Sequence, residues 1–193
     1  MAFSILPSHA DRLRLHPVAP RIAPMFCMAL LTVSCALASF ALACATPFAA
    51  FAVLAAAMLP LRPALLVVTG AWLVNQSIGF GALHYPVDGS TIAWGLAIGA
   101  AALLATGVSS AVLRNLPEGR SPVVLAVALA AAYAAYQLAL FAATPFLGGE
   151  GAFTGAIVTQ VGLTSAAWLA GLVAVCEAVR LVGPLGRRRA MSA

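Results

Sequence analysis

PFAAFAVLAAAMLPLRP, residues 47–63, decides how this chain is built. It holds about thirteen apolar residues before Pro60, too few for a comfortable membrane span, which takes about 20. It ends on Arg62, between two prolines. If the stretch is a helix that turns the chain around, Arg62 lies on the same side as the N-terminal arginines. If it is a loop, Arg62 lies on the side of Asp88.

Working outward, five longer apolar runs flank it, at 25–45, 63–83, 91–113, 121–145 and 153–182. Thr46-Pro47, Tyr85-Pro86, Pro117, Ser121-Pro122 and Gly148-Gly149 separate the runs, where breakers are expected. Arg12, Arg14 and Arg21 precede the first run, Arg62 follows the second, and Arg114 and Arg120 flank the loop after the fourth. Arg180, Arg187, Arg188 and Arg189 close the sixth. The alternate loops carry His84, Tyr85, Asp88 and Glu150 and no arginine. With six crossings every arginine falls on one face, as the positive-inside rule requires of a chain with both termini cytoplasmic; five crossings would mix the faces.

The composition agrees. Of 193 residues, 63% are hydrophobic and 8% charged, against roughly 25% charged in soluble domains, and the mean hydropathy is +1.04. The expected fold is all-α: a polytopic membrane bundle of six transmembrane helices, the second one short. Residues 1–24 form a cytoplasmic tail, 25–182 the transmembrane domain and 183–193 a basic cytoplasmic tail. The expected location is the cell inner (cytoplasmic) membrane. Ala43-Cys44-Ala45 mimics a signal-peptide cleavage site, but the apolar stretch before it exceeds the usual 7–15 residues, so the segment reads as a retained first span. The net charge of +5 reflects arginine blocks beside spans rather than a nucleic-acid-binding stripe, so no nucleic acid is expected as a partner.

The chain lacks Walker A, HExxH and GxSxG motifs and carboxylates paired at catalytic spacing, so no catalytic residues are assigned and no enzyme is expected. Cys27, Cys35, Cys44 and Cys176 all lie in apolar runs without metal-ligand spacing. No metal site and no cofactor are expected. His84 and Asp88 are too few and, with Pro86 between them, poorly spaced for a metal.

Polar groups in hydrocarbon are functional suspects. Asn75 and Gln76 lie in the third run, Gln137 in the fifth and Gln160 in the sixth. At 1.5 Å per residue the three helices place carboxamides roughly 10–12 Å below their outer ends. Tyr133 shares a face with Gln137, Trp94 sits near the outer end of the fourth run, and His84 lies on the loop above. Asn75, Gln76, His84, Trp94, Tyr133, Gln137 and Gln160 are therefore the candidate substrate-binding residues, for a neutral or zwitterionic small-molecule solute. The alternative is that the amides only join helices. Ser34, Ala38, Ala41 and Ala45 form a small-residue stripe on the first run, a candidate docking surface for a membrane partner or an internal packing seam. Gly95-x-x-x-Gly99 and Gly151-x-x-x-Gly155 are further close-approach motifs.

A small six-helix chain without ATPase motifs, with Ala41-Leu-Ala-Cys-Ala45 on an early helix, resembles the substrate-binding S components of energy-coupling-factor transporters. The short second span departs from their pattern. The resemblance implies vitamin or other micronutrient uptake across the lipid bilayer, energised by a membrane coupling subunit with ATPases that docks on the small-residue stripe. The rival readings are a non-transport scaffold or assembly factor, a divalent-metal permease component, and a lipid- or quinone-modifying enzyme.

Overall fold

A computed structural model describes residues 15–42, 45–116 and 122–182. It contains six α-helices: α1 (Ala23–Leu42), α2 (Phe48–Met58), α3 (Leu61–Gly81), α4 (Gly89–Asn115), α5 (Pro122–Leu147) and α6 (Gly155–Val182), with a short 3₁₀ turn at Glu150–Phe153 before α6. The expected polytopic helical bundle is what the chain forms. Five helices, of 20 to 28 residues, are long and apolar enough to cross a membrane. The sixth, α2, has 11 residues, about 16 Å by helical rise, and does not cross alone.

That short helix is the centre of the molecule. Every residue from Phe48 to Met58 is buried, and α2 packs against all five other helices. Its sequence explains this, because a helix that is apolar on every side has no face to give to water and is stable only when enclosed. Eight of its eleven residues are Ala, Val or Met, small or adaptable enough for surrounding helices to come close. Two phenylalanines give bulk at its upper end, with Phe48 and Phe51 packed edge to face, ring centroids 5.8 Å apart.

The ends of the bundle follow from contacts on α2. Leu15 is buried, and its N–H donates to the carbonyl of Ala57 at 3.0 Å. Cys176 near the end of α6 has its sulfur 3.9 Å from that of Met58. The segment before α1, the end of α2, the start of α3 and the end of α6 therefore share one end. Arg21, Arg62, Arg114 and Arg180 belong to it, since α4 runs back from the far end to which α3 climbs. There Glu177 pairs with Arg180. At the opposite end lie His84, Asp88 and Glu150, and the α5–α6 connection touches the start of α4: a methyl group added to Gly149 would sit 3.4 Å from the Trp94 ring. The charge segregation read along the sequence thus holds in space.

Two features go beyond the sequence reading. The described part of the N-terminal segment, residues 15–22, folds over the lower end of α2, with Val18 against the core. Pro145 does not end α5, which continues to Leu147. A proline deprives the carbonyl four residues back of its donor, and the hydroxyl of Thr144 supplies one, donating to the Phe141 carbonyl at 2.8 Å. The cleavage-like residues Ala43 and Cys44 lie outside the described residues.

Candidate functional site

The site begins where α3 crosses α4. Trp72 and Gln76, four residues apart, project from one face of α3 onto Gly99 and Gly95. A Cβ on Gly99 would lie 2.7 Å from the indole, and one on Gly95 2.8 Å from the Gln76 Oε1. The first GxxxG motif is thus a groove filled by a tryptophan and a glutamine. The Trp72 Nε1 also donates to the Gly95 carbonyl at 2.9 Å, pinning the crossing.

Above it, toward the acidic end, is a cavity of about 100 Å³ lined by Asn75, Gln76, Phe80, Tyr85, Thr91 and Trp94, with Phe48 of α2 beneath. Because α2 begins only at Phe48, the centre of the bundle has no helix above that residue. The loop between α3 and α4 closes the space. The Tyr85 ring lies over Gly79, where a Cβ would be 2.9 Å away, and its N–H donates to the Gly79 carbonyl at 3.0 Å. The loop reaches this position through His84, a non-glycine residue at φ 53°, in the left-handed region that side chains seldom adopt.

Asn75 anchors the inner wall. Its amide nitrogen donates to Ser39 Oγ at 2.9 Å and to Thr46 Oγ1 at 3.0 Å. This ties α3 to the end of α1 and to the segment entering α2. Asp88 anchors the rim as the N-cap of α4: its carboxylate accepts from the Thr91 N–H at 2.9 Å and from the Thr91 hydroxyl at 3.1 Å. Those two bonds, the backbone one first, hold the carboxyl below its ordinary value.

Of the seven candidate residues, Asn75, Gln76 and Trp94 meet in this cavity. Tyr133 and Gln137 form a separate pair on α5, where Gln137 donates to the Tyr133 hydroxyl and that hydroxyl donates to the Val158 carbonyl of α6. His84 and Gln160 are exposed and line neither place. The carboxamides also do not share a depth. Counted from the observed helix ends, Asn75 is about 9 Å, Gln137 about 15 Å and Gln160 about 7–8 Å in. The two residues of α5 beyond Pro145, about 3 Å, are one reason. Sequence reasoning placed Tyr85 on the loop but not in the site, and it missed Phe48 and Phe80. The one usable signal was the brevity of α2, which leaves space above itself.

The small-residue stripe on α1 turns inward. Ser34 and Ala38 are buried, and only Ala41 is exposed. Ser34 Oγ accepts from the Trp168 Nε1 of α6 at 2.6 Å. Ser34 and Ala38 thus form a packing seam, while Ala41 is exposed and Ala45 half-buried. Gly151 and Gly155 have open space where a Cβ would stand, so the second GxxxG supports no close crossing here. Among the described residues no three of His, Cys, Asp and Glu gather as a metal site would require.

The cavity offers two carboxamides, an indole, a phenol ring and a threonine hydroxyl, with no charged group in its lining. It can hold neutral polar groups between aromatic walls. At about 100 Å³ it is smaller than the ≈ 300–1,000 Å³ of sites that enclose whole small molecules, so a larger ligand needs the Tyr85 loop to lift. No family model, curated protein or solved structure matches this chain.

Proposed function

We propose that the chain is a solute-binding subunit of the inner membrane. It would take up a small neutral or zwitterionic micronutrient from the face opposite the arginines, and a partner would supply the energy. The observation that carries this reading is the loop-covered cavity at the acidic end, built over the truncated α2. A loop-covered, mainly apolar space with a few polar groups and aromatic walls at one face of a membrane bundle suits capture. Asn75 and Gln76 orient the solute, Trp94 and Tyr85 enclose it, and the loop carrying His84 is the moving part. The positive-inside rule places the arginine end, with both termini, in the cytoplasm. The likeness to energy-coupling-factor S components rests on size and helix number, and names an ATPase-coupled membrane subunit as the partner.

The test is co-purification of the wild-type chain from growth medium, followed by mass spectrometry of released small molecules, repeated with Gln76→Leu. Expected is a solute retained by the wild type and lost in the variant, with thermal stability nearly unchanged. A folded wild type that carries and binds no solute overturns the reading.

A second reading has its own support. Trp72, Tyr133 and Trp168, and Asn75 through its amide nitrogen, bond between helices, as they would in a scaffold whose polar side chains only join helices. On that reading substitution of those four side chains lowers stability and no solute is found in the wild type.

A further inference from the structure

A second concavity exceeds the outer cavity in volume. Between α1 and α6, on the flank of the bundle, runs a groove of about 580 Å³ walled by Val33 and Leu37 on one side and by Ala167, Gly171 and Val175 on the other. Its floor is the Trp168 indole, whose N–H is spent on Ser34 Oγ at 2.6 Å. The walls are hydrocarbon, with Val33 60% and Leu37 61% exposed.

We propose that this groove holds one acyl chain of an anionic phospholipid from the arginine-bearing leaflet. Three features select that occupant. The first is width. The Trp168 side chain itself bridges the two helices, so the slot is about one side chain wide. A helix, about 10–12 Å across with its side chains, does not enter it, whereas an extended hydrocarbon chain does. The second is length. From Thr164 to Val175 the groove runs about 16 Å along the middle of α6, so an acyl chain that enters past Val175 from the arginine end follows it to beyond the midplane of a core about 30 Å thick. The third is charge. Val175 lies about 7–8 Å along α6 from Arg180, at the end that carries Arg21, Arg62, Arg114 and Arg180 against Glu177 among the described residues. Arginines at that surface attract anionic headgroups.

The test uses the full chain in phosphatidylcholine vesicles containing a small fraction of lipid brominated on its acyl chains, which quenches tryptophan on contact. The brominated lipid is phosphatidylglycerol in one series and phosphatidylcholine in the other. The difference between the wild type and Trp168→Phe isolates the Trp168 signal. Expected is several-fold stronger quenching of Trp168 by the phosphatidylglycerol probe. Gly171→Leu removes that preference, because its side chain grows into the open groove, where a Cβ meets nothing within 4 Å. Equal quenching by both probes shows unselective boundary lipid and overturns the proposal. Absence of quenching by either shows that protein covers the groove and overturns it too. If Trp168→Phe does not fold, native mass spectrometry of wild type and Gly171→Leu counts retained phosphatidylglycerol; equal retention refutes the assignment.

Discussion

Asn75 joins three segments with one side chain, since its two amide hydrogens reach Ser39 of α1 and Thr46 before α2. Bonds of this kind between membrane helices contribute roughly 0.6–2 kcal/mol each. Asn75→Leu should therefore destabilise the bundle by about 1–3 kcal/mol, measured by unfolding in mixed micelles; an unchanged midpoint would mean the bonds do not persist. At the rim, Asp88 is tied to Thr91 and its pKa is lowered. A lowered folded-state value means that the cap's contribution is complete above the unfolded value near 4 and disappears as pH falls through the folded one. The Thr91 amide resonance should accordingly titrate below the usual aspartate range, and Asp88→Asn should abolish that titration while keeping the cap. Single residues were unevenly legible in the sequence. That Asn75 is a costly polar group in a span was readable. Its partners were not, because Ser39 and Thr46 lie 36 and 29 positions away and only the folded chain brings them close.

Close approach of elements is decided on α4. Gly95 and Gly99 accept Gln76 and Trp72 of α3 with no room for a Cβ. Gly99→Leu should lower stability by roughly 1–3 kcal/mol through overpacking. Gly107→Ala, where nothing lies within 4 Å, should be neutral or stabilise by up to about 1 kcal/mol. Equal effects at the two positions would refute the groove. Helix boundaries were legible to within two or three residues, because prolines and paired glycines punctuate the runs. The role of α2 was not. Its length and apolar character stood in the sequence, yet enclosure on all sides is a property of its neighbours. The end of α5 was misread for a local reason: Thr144 compensates for Pro145, and hydropathy carries no trace of that hydrogen bond. The inward turn of Ser34 and Ala38 was hidden similarly, since a stripe of small residues has the same spacing whether it faces a partner or its own bundle.

Across the whole molecule, the arginines were the most informative residues, because one rule about their side fixed the parity of crossings before any contact was known. The direct check is labelling of Arg62→Cys and Asp88→Cys with an impermeant maleimide in sealed vesicles. Opposite accessibility is expected, and labelling from the same side would dismantle the topology. Cys27, Cys35 and Cys176 are at most 1% exposed, so they should stay unlabelled until the chain is unfolded, and Cys44, which lies outside the described residues, is replaced by Ala in both variants. The central position of α2 also bears on biogenesis. An 11-residue apolar rod is too short to be held across a bilayer as it leaves the ribosome, and four of the five helices that will surround it are synthesised after it. Its final placement must wait for the second half of the chain. Nascent chains arrested after α3 should accordingly leave residues 48–58 open to protease, and protection should appear only once α6 has been made.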